Sequence, residues 1–143
     1  MKPVFCFIIL VFFISCKDNA NKAVKAEVIY DMYVPSEMSV LMKELYAFNL
    51  ELKKQVVKEE DLTPFPEQFL NIHTAQLSDF KARTERFKSF SNIFLTAQKE
   101  IYNTSSDLSL KDRFNNTINT CISCHSLECT GPIPKIKKLL ISQ

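Results

Sequence analysis

A single glycine, Gly131, occurs in a chain of 143 residues. Hairpin turns depend on residues that accept left-handed backbone, glycine above all. With one glycine and no strand-and-turn rhythm, the sequence predicts an all-α fold. The apolar residues agree. Met38, Leu41, Met42, Leu45, Phe48, Leu52 and Val56 recur at steps of three and four, so Pro35-Ser36 opens a first amphipathic helix with Ser36 as its N-cap. Thr63-Pro64 opens a second, short helix carrying Phe65, Phe69, Leu70 and His73 and ending near Ala75. A third runs from about Thr84 to Asn103 with Phe87, Phe90, Phe94, Ala97 and Ile101 on one side. Ser109, with Asp112 three residues on, reads as a capping box for a fourth, whose stripe is Leu110, Phe114, Ile118, Cys121 and His125. Gly131, Pro132 and Pro134 are expected to stop it, and Pro134–Ile141 to form a last short helix.

The fourth stripe ends in Cys121-Ile122-Ser123-Cys124-His125, which reads C-x-x-C-H, the attachment signature of a c-type haem. The spacing follows from the chemistry. At about 100° per residue, both thiols and the imidazole leave one helix face. Two thioethers can then form on one porphyrin while the histidine reaches its iron. Two other uses stay open. With Cys129 the segment is also C-x-x-C-H-x-x-x-C, three thiols and an imidazole, which is a tetrahedral zinc set. The cysteine pair alone is a redox dithiol or plain packing.

The N-terminus bears on this choice. Met1-Lys2 precedes an apolar run from Val4 to Ile14, too short for a bilayer and typical of a secretory signal. A buried N-terminal element is the competing reading. Phe13-Ile14-Ser15-Cys16 resembles the lipobox of bacterial lipoproteins, with Phe13 in place of the usual leucine. That resemblance implies cleavage before Cys16 and lipid on it. The expected organisation is a signal peptide over 1–15, a lipidated N-terminus and tether over 16–34, and one helical domain over 35–143. Residues 28–34 read equally well as an extended arm over the domain. With Cys6 removed, Cys16 lipidated and two thiols on haem, only Cys129 is unassigned, so no intrachain disulfide is expected. A formal charge of +2 argues against nucleic acid as a partner.

Helices with C-x-x-C-H in the last long one resemble the cytochrome c prime family, the class II c-type cytochromes, over about Pro35 to Ile141. The resemblance implies an antiparallel four-helix bundle around one covalent haem c. Cys121 and Cys124 are then thioether sites and His125 the proximal iron ligand. The tail after Cys129 departs from the simplest family pattern. Members with a methionine on the first helix carry electrons, and those without one bind small gases. Met42 is the first candidate for a sixth ligand, with Met38 and His73 as alternatives and Met32 behind them. No second acid–base set accompanies the motif, which argues against an enzyme such as a peroxidase.

The expected function is therefore single-electron transfer by a covalent haem. A five-coordinate gas-binding module and a haem-free zinc lipoprotein are the alternatives. The expected partners are redox proteins and, through lipid, a membrane facing the periplasm or cell exterior; nothing sets an oligomeric state. Lys135, Lys137 and Lys138 either steer an acidic redox partner or form a solvated face.

Overall fold

The computed structural model describes residues 34–142, and all regular structure there is helical. Cys16, Met32, the signal peptide and nearly all of the tether lie outside the described residues. Three long helices make the frame: α1 (Glu37–Lys58), α2 (Glu85–Glu100) and α3 (Leu110–Glu128). A short α4 (Ile133–Ile136) runs into a 3-10 turn, Lys137–Leu139. None of the described helices is long and apolar enough to cross a membrane.

Each long helix begins at a hydroxyl. Ser36 Oγ accepts from Ser39 N, Thr84 Oγ1 from Phe87 N (3.1 Å) and Ser109 Oγ from Asp112 N (3.1 Å). These bonds satisfy amide donors that a helix start leaves without partners. The box at Ser109 closes differently from expectation. Asp112 Oδ2 accepts the Ser109 hydroxyl at 2.6 Å, because the shorter acid side chain engages the cap's own side chain. α1 ends on Glu59 in left-handed conformation (φ 58°), a place usually given to glycine.

The second expected helix is a 3-10 segment, Glu67–His73. Its buried residues are Phe69 and Ile72, followed by Ala75 just beyond it. They recur every three residues, the period of a 3-10 helix, so Leu70 is left exposed. Arg83 fixes the end of the segment, donating to the Ile72 and Ala75 carbonyls at 2.7 and 2.6 Å. α3 also stops earlier than expected. Cys129 is already extended, and Gly131 has no positive φ, so the helix ends without a glycine cap.

α2 and α3 pack most extensively and run in opposite directions. Arg86 meets Glu128 (2.7 Å), Thr117 Oγ1 contacts the Ala97 carbonyl (2.9 Å), and Arg113 reaches the Ile101 carbonyl (2.9 Å). α1 runs against α3 as well. The start of α1 is held by the 59–84 connection, where Met38 N donates to Gln76 O. At the other end, Lys53 donates to the Leu140 carbonyl while Asn115 brackets Ile141 with two bonds of 2.9 Å.

The core has two clusters. One gathers Met38, Leu41, Leu45, Phe69, Phe87 and Phe94. The other gathers Leu52, Val56, Ile101, Phe114, Ile118 and Leu139. Phe48 and Cys121 pack against both.

Candidate functional site

The C-x-x-C-H segment lies in the last two turns of α3, and its three functional side chains leave the inward half of the helix. Cys121 continues the line of Phe114 and Ile118 and packs where the two clusters meet. Cys124 and His125 are half-buried one turn further on. All three described cysteines are free thiols.

Burial first, then the neighbouring Cys124, pushes the Cys121 thiol up to about 12. Burial first, then the Glu128 carboxylate, pushes Cys124 up to about 11, against the opposing pull of Arg86. Both thiols are therefore neutral at physiological pH. A redox dithiol needs the thiolate, which electropositive surroundings favour. This environment does the reverse.

His125 is oriented by the end of its own helix. Its Nδ1 lies 2.9 Å from the Cys129 carbonyl oxygen, and the Cys129 N–H donates to the His125 carbonyl at 3.0 Å. A carbonyl can only accept, so Nδ1 carries the hydrogen and Nε2 keeps its lone pair. A histidine engaged in this way by a backbone carbonyl has the arrangement of a metal ligand. Cys129 contributes its backbone here; its side chain is exposed. Among the described residues, no three His, Cys, Asp or Glu groups gather as a metal set.

The sixth-ligand candidates occupy different positions. Lys53 and Asn115, both holding the chain at 140–141, mark one level of α1 and α3. At about 1.5 Å per residue, Met42 lies about 16.5 Å and His125 about 15 Å from that level, towards the same end. Met38 lies a further turn on, near the level of Glu128. Met42 is half-buried and packs against the first cluster, as Cys121 does; Met38 belongs to that cluster. His73 lies on the 3-10 segment, its Nδ1 3.3 Å from Ser91 Oγ on α2. Lys135 stacks on the Tyr46 ring, 4.2 Å from its centre, while Lys137 and Lys138 are exposed.

Two surface recesses, of about 420 and 630 Å³, lie elsewhere. The first is lined by Asn92, Thr96 and Arg113, the second by Glu37, Glu44 and Asn71. Neither is lined by Cys121, Cys124 or His125. The fit of a haem to the motif rests on its donor set: two neutral thiols on one face and an imidazole with Nε2 available.

Sequence reasoning missed the buried polar residues Asn49, Ser91, Gln98 and Thr117. Asn49 and Gln98 fall in phase with the apolar stripes, four residues after Leu45 and Phe94, and that phase was the available signal. Arg113 was missed too. Its Nη1 donates to the Glu100, Ile101 and Asn103 carbonyls and so caps the end of α2.

Compared with known proteins, the chain matches no family model, no curated protein and no solved structure.

Proposed function

We propose that this chain is an exported lipoprotein that carries single electrons on one covalently attached haem c. The observation that carries the reading is the C-x-x-C-H segment on one helical face, with His125 Nδ1 engaged by the Cys129 carbonyl. Cys121 and Cys124 would hold the group through thioethers, and His125 through Nε2. Bound there, the haem supplies a one-electron iron couple whose potential follows its axial ligands and burial.

The protein's own residues do the rest. The Cys129 carbonyl fixes the imidazole tautomer. The two apolar clusters flanking Cys121 favour a low-dielectric setting. Met42, at the level of His125, is the proposed sixth ligand, since its thioether is flexible and polarizable. Held by both His125 and Met42, the iron would have a raised potential, which suits an electron carrier. The finer fold we propose is an antiparallel four-helix bundle related to cytochrome c prime, with the 59–84 connection and its 3-10 segment in place of one regular helix.

Export and lipidation rest on Val4–Ile14 and on Cys16. A Cys16→Ser variant is expected to leave the membrane fraction while keeping its haem. Denaturing gel electrophoresis followed by haem staining tests the reading as a whole, because thioether-linked haem survives denaturation. A stained band at the mature mass is expected; an unstained band from cells competent in haem c maturation contradicts it.

A further inference from the structure

We propose that the face where the chain enters the helical domain, built from Val34, Phe80 and Lys81, lies against a phospholipid surface. This inference rests on the reading of the chain as an anchored lipoprotein and does not depend on a haem. Val34 at 83% and Phe80 at 81% are the most exposed large apolar side chains among the described residues; the next, Val57, is 59% exposed. They are far apart in sequence and close in space. Ser36 Oγ lies 3.2 Å from Ser78 Oγ, Met38 N donates to Gln76 O at 3.0 Å, and Gln76 N donates to Glu37 Oε2 at 2.8 Å. Val34 and Phe80 each stand two residues from the Ser36–Ser78 contact, within about 7 Å along the chain.

The core does not account for Phe80. Lys81 N donates to Ser78 O at 2.8 Å, so Asp79 and Phe80 form the tip of a turn. Such tips favour small or polar residues, and a ring this exposed adds nothing to the core. Lys81 places a cation beside it. Its Nζ lies 5.8 Å from the Phe80 ring centre and donates to the Glu128 carbonyl at 2.6 Å. That partner is neutral, whereas the neighbouring Arg86 and Lys88 are paired with the Glu128 and Glu85 carboxylates. Asp79 offsets part of the Lys81 charge, so the apolar side chains carry the contact and Lys81 assists it.

The position of the remaining chain selects the occupant. About 18 residues separate the proposed lipid on Cys16 from Val34, which spans at most about 65 Å even fully extended. The face on which Val34 stands is therefore held near the bilayer, where effective concentration favours even a weak contact. Buried apolar area and attraction between basic side chains and anionic lipid are the two terms that hold a protein to a membrane surface.

The test has two arms. In the first, the Cys16→Ser protein, which has no site for lipid, is sedimented with vesicles of phosphatidylglycerol and phosphatidylcholine. It is expected to bind. Phe80→Ser in that background should weaken binding by about tenfold, and Lys81→Gln by at most about fivefold. Leu108→Ser is the control: Leu108 is also exposed, but lies beyond the opposite end of α3, about 27 Å away. No binding, equal binding by Phe80→Ser, or an equal loss in Leu108→Ser overturns the proposal. In the second arm, benzoylphenylalanine replaces Phe80 in the otherwise wild-type protein and is photoactivated in intact cells. A phospholipid adduct at position 80 supports the surface; an adduct to another protein overturns it in favour of protein docking. Wild type recovered soluble with Cys16 unmodified would defeat the lipoprotein reading alone, because the first arm uses no anchor.

Discussion

His125 and Cys129 are bonded to each other twice. The Cys129 N–H donates to the His125 carbonyl, and the His125 ring returns a hydrogen from Nδ1 to the Cys129 carbonyl. The backbone turn that ends α3 is therefore also the device that sets the tautomer of the histidine in C-x-x-C-H. One helix terminus performs a structural and a chemical task, and the fifth cysteine takes part without its sulfur.

It follows that Cys129→Ala should behave as wild type in haem content and absorption spectrum, because both backbone groups remain. Cys129→Pro should not. Proline lacks the N–H and cannot adopt the φ of −162° seen at this position. Loss of outer-shell support of this kind typically weakens metal ligation by about 10–100-fold. Haem per polypeptide and the spectrum of the two variants check this. Equal loss in both would mean that the thiol itself is required.

The two first-helix methionines should separate cleanly. Met42→Ala is expected to convert low-spin iron to high-spin and to admit carbon monoxide. Met38→Ala should leave the spin state alone and cost about 2–5 kcal/mol of stability, the usual range for emptying a buried methionine position. If the wild type is already high-spin, Met42 is not a ligand and the gas-binding reading replaces electron transfer. If both variants stay low-spin, His73 is the residue to test.

Much of this arrangement was readable before folding. The three hydroxyl N-caps, Ser36, Thr84 and Ser109, stand just ahead of apolar stripes, and local chemistry alone identifies such starts. The spacing within C-x-x-C-H fixed a shared helix face without any tertiary information. The 3-10 segment escaped because Pro64 and Pro66 fit the first turn of an α-helix equally well, and a period of three over one short stretch resembles 3.6. Asn49 and Gln98 escaped because a stripe traced through apolar residues passes over polar ones in the same phase. The pair of hydrogen bonds between His125 and Cys129 depends on where α3 ends, and helix ends are the least determinate part of a pattern.

Arg113 should prove important for stability although it lies outside the motif. One guanidinium nitrogen closes the Glu100, Ile101 and Asn103 carbonyls at the end of α2. Arg113→Met keeps much of the aliphatic stem and removes these bonds. The expected loss is about 1.5–3 kcal/mol, in the range for hydrogen bonds to a charged group. Denaturant unfolding measures it, with the haem spectrum below the transition unchanged.

The thiols give a pH signature that distinguishes haem-free from haem-bearing protein. In the folded haem-free chain Cys121 and Cys124 keep their protons to about 12 and about 11, whereas the unfolded thiols lose theirs near 8.5. Above that pH the unfolded state binds fewer protons, so stability is fully present below about pH 8.5 and falls as the pH rises towards 11–12. Thioethers carry no such proton. The haem-bearing protein should lack this fall and keep the smaller contribution of Tyr102, which burial pushes up to about 12. Unfolding midpoints of both forms between pH 8 and 11 make the comparison; identical slopes would contradict attachment at these two thiols.

The central claim is covalent haem on Cys121 and Cys124, and mass spectrometry of the peptide spanning residues 121–125 tests it most directly. For protein matured in cells competent in haem c assembly, the account predicts one haem added to that peptide, bonded at both cysteine sulfurs. The same peptide recovered unmodified, with both thiols free to react with an alkylating reagent, would contradict it.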